Sequence, residues 1–285
     1  MSNIVEGKNQ TGRVYRLYLE DKEGKKQIEI TNLSVDFRVL KKADNTDSKN
    51  FANINIFNLR NDHRALLESK GVRVSLEVGY YGGDMQILLV GEVVNTVSER
   101  EVGDIRTTLT IVPNYSSAYG KVISSFVPEG SGVKDVINTI ARFITPTPSV
   151  VFSGDNVNKR VMWGYPINSK PIEALSLLSR DYSLEWQLDN GVLYISDKGK
   201  SHSKKSVFQL SERSGFIGSV EELRDENFNP EFLVVRALIN PVFVAGSFFE
   251  LKHNKYNGVY KVVEVEFIGS NYSADWYMLI KSKKL

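Results

Sequence analysis

Period-two alternation of apolar and polar residues fills both ends of this chain and lapses only in the middle, and that layout constrains the fold more than any motif. Successive side chains on a strand point to opposite faces, so an alternating stretch buries one face and wets the other. Val14-Tyr15-Arg16-Leu17-Tyr18-Leu19 and Gln27-Ile28-Glu29-Ile30 alternate on either side of a charged turn at residues 21–25, which makes an opening hairpin. Residues 33–39 follow as a strand, the polar run 41–49 reads as a loop, and residues 52–59 alternate again. Asn61 or Asp62 is placed to cap a short helix through Arg64, Ala65, Leu66 and Leu67, which Gly71 closes in the left-handed conformation. Residues 72–78 and 87–93 flank Tyr80-Tyr81-Gly82-Gly83-Asp84, whose glycines suit a tight hairpin. Residues 94–100 and 106–112, joined at Val102-Gly103-Asp104, complete seven or eight antiparallel strands, the pattern of one sandwich or barrel over residues 12–113.

The middle changes period. Val133, Val136, Ile137, Ile140, Ala141 and Ile144 share one helical face, and Pro146 stops that helix. A second helix starts at residues 169–182, with Ser169 placed to cap it and Pro171 in its first turn. Residues 184–188 and 192–195 then form a hairpin closed by Asp189-Asn190-Gly191. From Val207 the strand pattern returns, and the last segment reads as a shortened copy of the first. Residues 53–59 correspond to 234–241, Gly71 and the strand after it to Gly246 and the strand after it, residues 91–97 to 258–265, and 104–111 to 275–280. The copy lacks the short helix and the long hairpin.

Composition narrows the function. The 285 residues suit two or three modest domains, and 41% hydrophobic with 25% charged residues is an ordinary globular balance. The chain has no Cys, which removes disulfides, thiolate zinc sites and cysteine nucleophiles together. His63, His202 and His253 lie far apart and read as surface or turn residues, so no metal site is expected. A net charge of +2 with mixed signs gives no case for sequence-specific nucleic-acid binding. The one basic block, residues 198–205, reads as a linker from its Gly and Ser content. No apolar run nears the roughly 20 residues that span a bilayer, and Met1-Ser2-Asn3-Ile4-Val5-Glu6-Gly7 lacks the regions of a signal peptide. The expectation is a protein that stays in the cytosol where it is made, with no membrane partner.

Ordered fragments across most of the chain resemble phage tail hub proteins, the family that includes the late-control D-type and other baseplate hubs of contractile tails. In the first β segment they are Ala52-Asn53-Ile54-Asn55-Ile56-Phe57-Asn58-Leu59, Val74-Ser75-Leu76-Glu77-Val78-Gly79-Tyr80 and Leu89-Val90-Gly91-Glu92-Val93; Val78 stands where the family usually has Ala, and Val90 sits beside Gly91. In the last segment they are Gly215-Phe216-Ile217-Gly218-Ser219, Leu238-Ile239-Asn240-Pro241, Val244-Ala245-Gly246, Gly258-Val259-Tyr260-Lys261-Val262, Phe267-Ile268-Gly269 and Asp275-Trp276. The resemblance implies a mainly β chain with an α+β insertion: two tube-like antiparallel β-barrels, residues 1–115 and 207–285, flank a small α+β domain with its basic linker at 116–206. It implies a structural hub of the tail baseplate in the virion, assembled in the host bacterial cytoplasm. Three chains in a homotrimeric ring would offer six similar faces to a sixfold tube and threefold symmetry to a spike. The implied partners are further copies of the chain, the tail tube protein, the central spike protein and the tape-measure protein.

Two rival functions have residues behind them. Glu221, Glu222, Asp225 and Glu226 beside Phe228 could supply the paired acids of a tail-associated cell-wall hydrolase, although a charged cluster between strands reads first as a solvated loop. A receptor-binding adhesin could use the 13 Tyr, 14 Phe and 3 Trp as stacking platforms, although strand interiors account for most of them. No nucleophile elbow, zinc motif or P-loop occurs, so no catalytic, cofactor-binding or metal residue is assigned, no cofactor is expected, and the chain reads as a non-enzyme.

Overall fold

The computed structural model describes residues 12–42, 50–113, 120–200 and 207–285. The opening seven residues, the 43–49 part of the expected loop, His202, positions 201–205 of the basic block, and the expected boundaries at 115, 116 and 206 lie outside the described residues. In chain order come β1 (Arg13–Glu20), β2 (Gln27–Ile30), β3 (Val35–Lys42), β4 (Phe51–Phe57), α1 (Asn61–Leu67), β5 (Arg73–Tyr80), β6 (Gln86–Glu101) and β7 (Asp104–Pro113). The middle holds β8 (Ile123–Val127), α2 (Val133–Ala141), β9 (Ser149–Ser153), β10 (Tyr165–Ser169), α3 (Pro171–Tyr182), β11 (Leu184–Asp189) and β12 (Val192–Asp197). The last segment holds β13 (Phe208–Leu210), β14 (Phe216–Arg224), β15 (Pro230–Leu238), β16 (Phe248–Leu251), β17 (Gly258–Ser270) and β18 (Trp276–Lys284). The chain is mainly β.

The chain forms two compact units, one from residues 12–42, 50–113 and 207–285, the other from 120–200. The two β segments, at either end of the sequence, thus fall in one unit. β3 pairs antiparallel with β17, and both segments contribute to one hydrophobic core. The first unit is a single sheet in the order β14-β15-β18-β17-β3-β4-β7-β6-β5-β1-β2, with β16 on β17 and β13 on β16. Its end strands, β14 and β2, do not pair, so no closed barrel forms among the described residues.

Alternation builds this sheet directly. Tyr15, Leu17 and Leu19 of β1, Ile54 and Ile56 of β4, and Val74 and Leu76 of β5 are buried while their neighbours are not, and Val78 is buried beside Gly79. Each such Val, Leu or Ile contributes about 1.5–3 kcal/mol when removed from water. Residues 87–93 and 94–100, expected as two strands, form one strand, because a bulge between Val93 and Asn95 lets β6 continue along β7. Lys41 and Lys42 belong to β3 rather than to a loop. Arg60, not Asn61 or Asp62, precedes α1, and no side chain caps it. Lys170 rather than Ser169 precedes α3, where its N–H donates to Glu173 Oε2 at 3.2 Å and Pro171 opens the helix.

The second unit packs its helices on short strands. Val136, Ile137 and Ile140 of α2, Leu175 and Leu178 of α3, and Trp186 of β11 are buried in its core. β11 and β12 are the expected hairpin, turned at Asn190 and Gly191 with φ of 47° and 79°. β9 runs parallel to β12, and β8 pairs antiparallel with β10.

Candidate assembly interface

The first unit contains one strand arrangement twice. β3-β4-β7-β6-β5 and β14-β15-β18-β17-β16 are hydrogen-bonded in the same order. Each long hairpin carries one bulge, between Val93 and Asn95 opposite Ile111 and Thr110, and between Val262 and Glu264 opposite Ser282 and Lys281. Matching the bulges equates Thr110 with Lys281, and the ladders then equate Asn53 with Val234, Val72 with Ser247 and Asp104 with Asp275. Gly71 falls on Gly246, and both are left-handed, with φ of 84° and 82°. The N–H of Val93 donates to the Val72 carbonyl and that of Val262 to the Ser247 carbonyl, each at 2.9 Å. Gly91 equates with Tyr260 rather than with Gly258, so the sequence alignment slips there. Only the first copy has α1; residues 239–247 hold the place without a helix.

The two copies are joined through the second half of β17. Phe267 lies opposite Val39, Gly269 opposite Phe37 and Glu264 opposite Lys42. Val39, Val265 and Phe267 are fully buried, and the Lys41 ammonium lies 5.9 Å from the Phe267 ring centre. The flanking ion pairs, Lys42–Glu264 at 3.2 Å and Arg38–Glu266, are partly exposed. Such pairs contribute at most about 1 kcal/mol each, so the apolar face carries the junction. The turn after β17 is fastened to the first copy by named donors. Arg13 donates to the carbonyls of Ser273 and Ala274 at 2.6 and 3.0 Å, and the Val35 N–H to Asn271 Oδ1 at 2.8 Å. Tyr272 donates to the Asp36 carboxylate, which also accepts from Asn55 Nδ2 at 2.6 Å. Tyr80 donates to the Ile239 carbonyl at 3.1 Å, and burial pushes its pKa up to about 12, which keeps it a neutral donor.

Two of the four acids considered for hydrolysis, Glu222 and Asp225, have structural partners, while Glu226 lies in the turn after β14. Glu221 and Glu222 sit on β14, and Glu222 pairs with Arg224 at 2.8 Å. Asp225 accepts from the backbone N–H of Asn229 at 2.8 Å and of Asn227 at 2.9 Å, closing the β14–β15 turn. The Asn229 hydrogen bond first, then that of Asn227, holds the Asp225 carboxyl below the usual carboxylate range. A glycosidase acid needs the opposite shift. His63 follows Asp62 on α1, while His253 stacks on Tyr256 at 5.7 Å, so these two histidines have unrelated surroundings. Gly82 and Gly83 turn β5 into β6, and a strand rather than a helix follows them. Lys200 pairs with Asp197 at 3.0 Å within the second unit. Phe37, Phe243, Phe249, Phe267, Trp186 and Trp276 are buried, and the exposed rings among the described residues are Tyr81, Phe126, Phe143, Trp163, Phe228 and Tyr272.

No family model and no curated protein matches the sequence. The fold is nevertheless shared with tail proteins of phages and prophages. The 43 kDa tail protein of prophage MuSo2 from Shewanella oneidensis aligns over 95% of this chain and 98% of its own at a TM-score of 0.66 and 9% identity. A tail protein from Neisseria meningitidis aligns over 95% and 97% at 0.67 and 12%. An Escherichia coli protein described as a component of the type VI secretion system, with structural similarity to the T4 bacteriophage tail proteins gp27 and gp5, aligns over 88% and 73% at 0.62 and 7%. The class of fold is therefore that of tail proteins and their secretion-system counterparts.

Proposed function

We propose that this chain is the baseplate hub of a phage tail, a structural, non-enzymatic homotrimer that adapts a sixfold tail tube to a threefold central spike. The observation that carries the reading is the repeated strand order with matching bulges, since two like modules per chain give six like faces in a ring of three. Residues 1–115 and 207–285 are the two tube-like barrel modules, and 116–206 is the domain inserted between them. Likeness in fold to tail proteins over nearly the whole chain supports the same reading. The partners are tube protein, spike protein and tape-measure protein in the virion baseplate, with assembly in the host cytoplasm; no catalytic, cofactor or metal residue is assigned. Native mass measurement of the purified chain, alone and with its spike, tests this. Three copies per spike trimer are expected, and a stoichiometry of two or six copies per spike trimer overturns it.

A further inference from the structure

The second half of β6, residues 95–101, has β7 along one edge and no strand along the other among the described residues. In the second copy the equivalent half of β17 has that edge covered by β3. The equivalent of β3 is β14, which among the described residues pairs with β15 alone and ends the sheet. One chain thus carries one completed junction and both halves of another, separated in the sheet by β15, β18, β17, β3, β4 and β7. Beside the open edge of β6 lies a groove of about 620 Å³, lined by Arg64 and Glu68 of α1 on one side and by Val94, Asn95, Thr96 and Ser98 on the other. A paired strand lies about 4.8 Å from its neighbour, so an incoming strand would run along this groove.

We infer that β14 of a second copy of this chain pairs antiparallel with residues 95–101 of β6, in the register that β3 adopts on β17. This rests on the trimeric reading and specifies which edges meet in it. The correspondence sets Thr96 opposite the partner's Arg224, Val97 opposite the partner's Leu223, Ser98 opposite the partner's Glu222 and Arg100 opposite the partner's Val220. Core-facing positions held by Val265, Phe267 and Gly269 in the inner junction are Thr96, Ser98 and Arg100 in the outer one. Val39 and Lys41 likewise become Glu222 and Arg224. The inner junction is apolar and the outer one polar, with Arg100 diagonal to the partner's Glu222, within reach of a cross-strand ion pair. That is the division of labour between a seam that forms as the chain folds and one that forms between folded, soluble chains. Val94 and Val97, 53% and 42% exposed in one chain, are the apolar surface the contact covers. On the outer face Glu99 opposes the partner's Glu221, an unfavourable pair offset by Arg106, whose guanidinium lies 3.2 Å from Glu99 and 2.9 Å from Glu101.

A chain without cysteine makes the test clean. Two full-length double variants, Val97→Cys with Leu223→Cys and Ser98→Cys with Glu222→Cys, are oxidised at high protein concentration, run on non-reducing gels and weighed in parallel. Disulfide-linked dimers and trimers are expected from at least one of them, and none from the single variants or from the off-register pair Val97→Cys with Val220→Cys. Glu221→Lys is expected to raise the trimer fraction several-fold. A trimer by mass that cross-links at neither matched pair overturns the pairing and leaves the trimeric reading standing. A chain that is monomeric at every concentration, alone and with its spike, overturns both.

Discussion

Phe37 of β3 fills the space over Gly269 of β17 so closely that a Cβ at position 269 would overlap its ring. The same ring meets Trp276 edge-on at 5.7 Å, so one aromatic side chain locks β3, β17 and β18 together. Gly269→Ala is therefore expected to destabilise the first unit by about 1–3 kcal/mol, the usual cost of overpacking. Thermal melting of the full chain reads this, and Phe37→Leu in the Gly269→Ala background should recover part of the loss. Additive losses in the double variant would show that the two residues do not share this space.

Gly71 and Gly246 make a matched pair of tests. Both have φ in the left-handed region, so Gly71→Val and Gly246→Val should each cost on the order of 1–2 kcal/mol or more, with Asn milder at both. Gly71→Val should weaken the first unit while the second unit keeps its own melting transition. Unchanged stability at either glycine would break the correspondence of the two copies.

Asp197 gives the second unit an acid-sensitive point. Burial works against its charge, yet the Asp155 N–H at 2.9 Å, the Lys200 ammonium and the Asn156 N–H together hold its pKa below the ordinary value. A depressed folded pKa contributes stability above the unfolded value near 3.9 that is lost as pH falls through the folded one. Fluorescence of buried Trp186 should therefore report loss of this unit's stability below about pH 4. Asp197→Asn should remove that part of the pH dependence and cost about 1–3 kcal/mol at neutral pH. A variant that retains the full acid slope would assign it to other carboxylates.

Purified protein should leave bacterial cell wall intact in zymography, because Asp225 holds its turn as a carboxylate and Glu222 is paired with Arg224. Clearing that disappears in Glu221→Ala or Asp225→Ala would restore the hydrolase reading.

Local signals carried most of the strands and none of the seam. The Asn190-Gly191 turn, the helical face from Val133 to Ile140 and the alternation of β1, β4 and β5 are written in neighbouring residues, so the sequence displays them. β8, β9 and β10 escaped because each is five residues long, and they pair with partners far along the chain or run parallel to them. The alternation splits β6 into two apparent strands because the bulge between Val93 and Asn95 shifts its phase. Phe37 and Gly269 lie at opposite ends of the sequence with no periodicity linking them. The open edge of β6 is legible only in the structural register, where Thr96 and Ser98 stand at the places that Val265 and Phe267 hold in the copy.

The pairing of β3 with β17 also sets an order of events during synthesis. At typical elongation rates the ribosome needs on the order of 10–40 s to travel from Lys42 to Gly258. Throughout that interval β3 has β4 on one side and an uncovered edge on the other. Arg38, Lys41 and Lys42 place three cations on the waiting strand, and like charge is what discourages a nascent edge from recruiting the same edge on a neighbouring chain. Two of those cations later meet Glu264 and Glu266 as β17 arrives. With Asp36 the only acid on β3, the residues that complete the seam thus also give the waiting edge a net positive charge.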